Sequence, residues 1–200
     1  MKLYILRHED RTQDATFFSP LTKDGLENSE KLIELLKELD INIIYSSPFI
    51  RTLQTINPYA KFKNLKINID YGLSELQHPD LIPPNSYQVT LPKYIAKDFN
   101  YNPIYETTMM PTKFSYPEEE KDMMKRIKTI LTKILTNHTK LNENIIIVTH
   151  QGICNLILKI VGKSLNDEQL KKLKFKYPTG GLTKIFDTEN WVFKNINWNL

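Results

Sequence analysis

Short apolar runs alternate along this chain with longer stretches whose apolar positions recur every three or four residues. Residues 2–6, 42–46 and 145–149 are apolar almost throughout and rich in β-branched side chains. Such runs suit strands of a parallel sheet covered on both faces. Residues 65–71 predict a further strand, in which Leu65, Ile67 and Ile69 alternate with polar neighbours. Thr22 starts a helix that shows Leu26, Leu32, Ile33, Leu35, Leu36 and Leu39 on one face. Pro117-Glu118-Glu119-Glu120 opens another, running to about residue 136, with Met123, Met124, Ile127, Ile130, Leu131 and Ile134 turned inward. A helix follows His150, one more spans about 166–174, and strands at 181–187 and 191–197 close the chain as a hairpin around Thr188-Glu189-Asn190. This alternation predicts an α/β fold, a three-layer α/β/α sandwich with a mostly parallel central sheet. Two hundred residues suit a single domain, 1–200.

One segment breaks the pattern. Residues 77–117 hold seven of the eleven prolines and no glycine, with Tyr87, Tyr94, Phe99, Tyr101 and Tyr105 interspersed. It is too aromatic for a disordered linker, and reads as an ordered, irregular lid insertion beside the site.

Composition narrows the class without naming a function. The chain is 40% hydrophobic and 25% charged, which is ordinary globular usage. A net charge of +4, spread along the sequence, is too mild to predict a nucleic-acid partner, and no nucleic-acid motif accompanies it. The run Lys171-Lys172-Leu173-Lys174-Phe175-Lys176 reads as a solvated helix end. Cys154 is the single cysteine, so no internal disulfide can form and a reducing compartment is expected. It lies in the apolar stretch from Ile153 to Val161 and reads as a small core hydrophobe. With no membrane-length run and no signal-peptide pattern, the expectation is a soluble, cytoplasmic protein with no membrane partner.

The chemistry gathers where the apolar runs stop. Arg7-His8 follows the first, and Ser46-Ser47-Pro48-Phe49-Ile50-Arg51 follows the second. Gly72-Leu73-Ser74-Glu75 follows the run at 65–71, and His150-Gln151-Gly152 follows that at 145–149. Ligands of open α/β sheets bind beyond the carboxyl ends of the strands, which puts all these groups on one rim. A neutral imidazole can act as a nucleophile while guanidinium groups hold a phosphoryl group before it. The set therefore predicts phosphoryl transfer from a monoester. His8 would attack in line to give a phosphohistidine, with Arg7, Arg51 and His150 stabilising the charge. Glu75 would protonate the departing alkoxide and then deprotonate the attacking water. The arginines argue against a cation pocket, and no ligand-spaced cluster of His, Asp and Cys exists, so no metal and no cofactor is expected. Asp70 and Glu106 are runner-up acids. His78 and His138 read as surface residues, although His78 could reach a substrate.

These residues also carry a resemblance. Leu6-Arg7-His8, Leu21-Thr22-Lys23-Asp24-Gly25, the Ser46-to-Thr55 segment, Gly72-Leu73-Ser74-Glu75 and Val148-Thr149-His150 are similar, in this order, to the motifs of the histidine phosphatase superfamily, the phosphoglycerate mutase-like fold. The resemblance implies His8 as phosphate acceptor, Arg7, Arg51 and His150 as the phosphate pocket, and Glu75 as proton donor. Arg7-His8-Glu9-Asp10-Arg11 looks closest to the Arg-His-Gly-Glu-Arg form of the branch containing the UBA- and SH3-domain tyrosine phosphatases, which adds Arg11 to the pocket.

Two positions depart from the family pattern. Glu9 stands where the family usually has glycine after the nucleophile, and Gln151 where glycine commonly follows the second histidine. The asparagine of the mutase branch aligns with Asp14. The leading expectation is a metal-independent phosphatase. Its substrate would be a phosphorylated small molecule, such as a sugar phosphate or nucleotide, or a phosphotyrosine peptide, selected by the 77–117 insertion with Lys93, Lys97 and Lys113. The alternatives are a mutase-type phosphotransferase and a catalytically impaired phosphate-binding or scaffolding protein.

Overall fold

The structure is a computed structural model, and it describes residues 1–138, 143–161, 177–186 and 192–197. The helix expected at 166–174, the basic run and the turn at 188–190 lie outside the described residues. Among the described residues six strands form one sheet: β1 (Lys2–Arg7), β2 (Ile43–Ser46), β3 (Ile67–Ile69), β4 (Asn144–Thr149), β5 (Leu182–Phe186) and β6 (Val192–Asn195), in the order β3-β2-β4-β1-β5-β6. The first four are parallel, while β5 and β6 pair antiparallel at one side. Leu3 lies opposite Ile145 and Ile5 opposite Ile147, so each strand turns alternate residues to the two faces.

Both faces are covered by helices: α1 (Lys23–Leu36), α2 (Ile50–Phe62), the short α3 (Lys93–Ala96), α4 (Glu120–His138) and α5 (Gln151–Val161). Leu3, Ile5, Ile145 and Ile147 pack with Ile127, Ile130 and Ile134 of α4 and Ile153, Cys154 and Ile157 of α5. Tyr4, Leu6, Ile146 and Val148 pack on the other side with Leu32 and Leu36 of α1 and Leu53 and Ile56 of α2. This is a three-layer α/β/α sandwich. Residues 100–102 run beside β3, with Ile67 N–H donating to Asn100 O at 2.9 Å and Asn102 N–H donating to Ile67 O at 2.8 Å.

Three expectations need correction. Leu26 is exposed, because α1 buries the narrower stripe of Gly25, Ser29, Leu32 and Leu36 and gives way to a 3-10 turn at Lys37–Leu39. α4 begins at Glu120 rather than Pro117, since Glu118 folds back to the loop after β3. β3 is only three residues long, and a 3-10 turn at Tyr71–Leu73 follows it, capped by the Asp70 carboxylate, which accepts from Gly72 N–H at 2.8 Å.

Candidate active site

Four parallel strands end on one rim, and each delivers a residue of the predicted set. His8 is fixed just beyond β1 by its N–H, which donates to the Thr149 carbonyl at the end of β4, 3.0 Å away. Its Nδ1 lies 2.6 Å from the Glu9 carbonyl oxygen. A carbonyl only accepts, so Nδ1 carries the proton and Nε2 of the neutral ring keeps its lone pair. Burial, and next the Arg51 guanidinium, hold this imidazole well below its usual pKa, so it is neutral at physiological pH.

His150 follows β4, its ring centroid 5.4 Å from that of His8. Ser47 Oγ sits 2.8 Å from its Nε2. With the hydroxyl donating there, Nδ1 becomes the N–H of the neutral ring. Burial first, then Arg51 and His8, keep this ring uncharged as well. Arg51 stands in the first turn of α2. Its guanidinium carbon lies 4.5 Å from the Phe49 ring centroid, and that ring lies 4.8 Å from His150. Arg51 Nη1 donates to Thr16 O at 2.8 Å. Burial and the neighbouring Arg11 pull its pKa down to about 9, which still leaves a cation at neutral pH. Arg7 Nη1 donates to the Tyr177 carbonyl. Among the described residues, Arg7 Nε, Arg51 Nε and His150 Nδ1 are buried without a hydrogen-bond partner. Such buried donors are uncommon in native structures and mark a place where an acceptor belongs.

Glu75 lies in the loop after the 3-10 turn, its Oε1 accepting from Leu76 N–H at 3.0 Å. The same oxygen packs on the backbone of Gly152, where an added Cβ would come within 2.8 Å of it. Burial raises the carboxyl pKa, opposed by that N–H and by the charges of Arg51, Arg7 and Arg126. Arg11 is half-buried, and its charge acts on His8, Arg51 and His150. His8, His150, Arg7, Arg51 and Glu75 thus meet, with Arg11 at the edge.

The runners-up stand apart. Asp70 is buried and accepts from Gly72 N, Tyr105 Oη, Thr107 Oγ1 and Thr108 N and Oγ1, which fills its acceptor capacity. Glu106 is exposed. His78 is half-buried beside Asp80. His138 is not a free surface residue: it is half-buried, with Nε2 2.7 Å from Tyr45 Oη and Nδ1 2.5 Å from the Glu143 carboxylate. Asp14 is exposed and accepts from Thr12 and Thr16 hydroxyls.

Several supporting residues escaped the sequence reading. Thr55 Oγ1 accepts the Glu9 N–H at 3.0 Å and donates to Arg51 O, joining two site segments. Gln54 Oε1 accepts from Leu21 N at 2.7 Å. Arg126 and Glu118 form a buried ion pair behind the Glu75 loop. The signal for Arg126 was its place on the apolar stripe of α4, three residues after Met123 and four before Ile130.

Glu9 lies against Gly180, whose φ is +65° and whose added Cβ would stand 2.1 Å from Glu9 Oε1. Burial and then the Asp10 charge push the Glu9 carboxyl up to about 7, against the pull of Arg7. The folded value lies above the usual 4.5. Folding therefore favours the protonated acid, and that stability is present at low pH and lost as pH rises through about 7. Glu9→Gln, which carries no charge, is expected to match the wild-type melting temperature near pH 4.5 and exceed it by about 2–6 °C at pH 8. Thermal melts across that range check it; a constant offset would show that Glu9 does not ionise there.

Among the described residues no helix is long and apolar enough to cross a membrane. Two histidines, two arginines and a glutamate thus stand together beyond the carboxyl ends of parallel strands, the usual ligand position of an α/β domain. The model of the histidine phosphatase superfamily, branch 1, matches residues 4–199, and the chain belongs to that family. It is 27% identical over 140 residues to the transcription factor tau 55 kDa subunit of Saccharomyces cerevisiae, covering 66% of this chain and 31% of that protein. The chain thus spans about a third of the length of that relative. The ecdysone phosphate phosphatase of Bombix mori superposes with a TM-score of 0.75 at 15% identity, covering 96% of this chain and 91% of that one. The phosphoglycerate mutase of Bacillus anthracis does so at 0.68 and 21%, covering 98% and 92%.

Proposed function

We propose that the protein is a phosphomonoester hydrolase that works without a metal, through a phosphohistidine on His8. The observation that carries this is the fixed tautomer of a buried, neutral His8, next to the buried Nε–H donors of Arg7 and Arg51 and the buried Nδ1 of His150, none of which has a hydrogen-bond partner among the described residues. Arg7 Nε, Arg51 Nε and His150 Nδ1 would take the phosphoryl oxygens, with Arg11 adding charge from the edge. Nε2 of His8 attacks phosphorus as the bond to the leaving oxygen breaks, and Glu75 in its acid form supplies the proton to that oxygen. The Glu75 carboxylate then takes a proton from water, which attacks phosphorus and frees His8 and inorganic phosphate. Arg11 is included for the charge it exerts on His8, Arg51 and His150. The insertion at 77–117, with exposed Lys93, Lys97 and Lys113, would select the organic part of the substrate.

Incubation with p-nitrophenyl phosphate and a panel of phosphorylated metabolites and phosphotyrosine peptides, with chelator present, tests this. Metal-independent phosphate release is expected. Release that requires an added divalent ion would reject the mechanism, and positional exchange of phosphate without release would favour a mutase. A second reading is a non-catalytic phosphate-binding role within an assembly. The likeness to the tau 55 kDa subunit and Glu9 at a usual glycine position favour it. That reading predicts phosphate binding without turnover on the same panel.

A further inference from the structure

The loop that carries Glu75 has no regular structure after Leu73, yet its backbone is held at nearly every carbonyl. Arg126 Nη1 donates to Gly72 O and to Ser74 O, both at 2.8 Å. Thr149 Oγ1 donates to Leu73 O at 2.7 Å, and Gln77 Nε2 donates to Glu75 O at 2.7 Å. Glu118 completes the frame. Its N–H donates to Gln77 O at 2.7 Å, and its Oε2 accepts from Gln77 N at 3.1 Å.

The centre of this arrangement is one buried side chain. Arg126 and Glu118 have side-chain exposures of 2% and 3%. Arg126 Nε donates to Glu118 Oε1 at 2.8 Å and Nη2 to Oε2 at 2.7 Å, a two-pronged pair. The guanidinium also lies over the Phe114 ring, 5.0 Å from its centroid. Only arginine can serve a carboxylate with two donors and hold two carbonyls with a third nitrogen, because its donors form a rigid planar fork. A buried ion pair is a poor source of stability, since a well-packed apolar pair of similar volume does as well or better. What the pair does provide is a fixed position for the backbone on both sides of the acid.

We propose that Arg126 is a positioning residue that holds the Glu75 carboxyl in place for proton donation, acting through the carbonyls of Gly72 and Ser74. This rests on the hydrolase reading and assigns a part of its machinery that lies in the layer behind the sheet. Among the described residues the Glu75 carboxyl is held by the Leu76 N–H and by contact with Gly152, so its placement depends on where the loop backbone sits. A group that donates a proton in the transition state contributes about 100- to 10,000-fold, and a misplacement of about 1 Å can remove much of that.

The test compares two substrates. p-Nitrophenolate departs as a stable anion and needs little protonation, whereas the alkoxide of glycerol 2-phosphate needs a proton as it leaves. The double variant Arg126→Met/Glu118→Gln removes the clamp without stranding a buried charge. kcat/KM reports only the steps up to departure of the leaving oxygen, whereas kcat on both substrates also carries the later water attack that Glu75 assists. The variant is therefore expected to lose at least about tenfold in kcat/KM on glycerol 2-phosphate and less than about threefold in kcat/KM on p-nitrophenyl phosphate. Glu75→Gln should show the same selective loss. Arg126→Lys keeps the cation opposite Glu118 and should recover part of the alkyl-to-aryl ratio, which also keeps the test open if the double variant does not fold. Equal losses on both substrates, in either Arg126 variant, would overturn the proposal while leaving the hydrolase intact. Wild-type protein inactive on both would overturn the hydrolase reading and this proposal with it.

Discussion

His8→Ala is expected to lower phosphate release from p-nitrophenyl phosphate by at least about 1,000-fold while leaving the fold in place. The imidazole is the group with a lone pair aimed by its own backbone, since Nδ1 is committed to the Glu9 carbonyl. Alanine keeps the backbone bond from residue 8 to Thr149, so the strand end is undisturbed. Steady-state kinetics, with circular dichroism as a check on folding, measure the loss. Rapid quenching of the wild type should also trap a phosphoprotein that is labile to acid and stable to alkali, and the variant should yield none. Retention of more than about a tenth of the wild-type rate would remove His8 from the reaction.

The second large effect concerns stability. Gly25 occupies the first turn of α1, where by helix propensity alone alanine should stabilise by up to about 1 kcal/mol. The surroundings reverse that sign. A Cβ at Gly25 would stand 2.1 Å from the Asp10 carbonyl oxygen and 3.1 Å from its carbon. That oxygen cannot swing aside cheaply, because it accepts from Thr22 N–H at 3.0 Å. Thr22 in turn caps α1 by accepting from Gly25 N–H, and its hydroxyl donates to the Asp10 carboxylate at 2.9 Å. Gly25→Ala must push the helix away from residues 9–11, at a cost of about 2–3 kcal/mol. The melting temperature should fall by about 4–12 °C, and activity should fall with it because Glu9 and Arg11 flank the displaced carbonyl. A melting temperature within about 1 °C of the wild type would show that the contact relaxes freely.

Much of the sheet could be read from the chain because burial on both faces demands unbroken apolar runs, and those runs are local. Residues 145–149 are the plainest case. The same logic placed Arg7-His8, Arg51 and His150 on one rim, since a parallel sheet sends every strand end to the same side. Glu75 was harder. Its place depends on a three-residue strand, a 3-10 turn and a bent loop, none of which leaves a periodic signal. The Arg126–Glu118 pair joins side chains eight positions apart to carbonyls more than fifty residues earlier, and carbonyls are common to every residue type. Glu9 was visible as a departure from the family glycine, but the chain alone gave no hint that Gly180, 171 positions later, makes room for its carboxylate. Leu26 misled because its spacing fits the apolar stripe of α1 while its side chain falls outside the part that the sheet covers.

The Asp70 carboxylate has a bearing on how this scaffold could be re-engineered. Four of its hydrogen bonds come from Tyr105, Thr107 and Thr108, on the far arm of the proline-rich excursion. A chimaera that swaps this arm for a shorter hairpin would strand a desolvated anion at the foot of the turn leading to the acid. The graft must bring hydroxyl donors to the same spot, or the aspartate must be exchanged for a neutral residue in the same step.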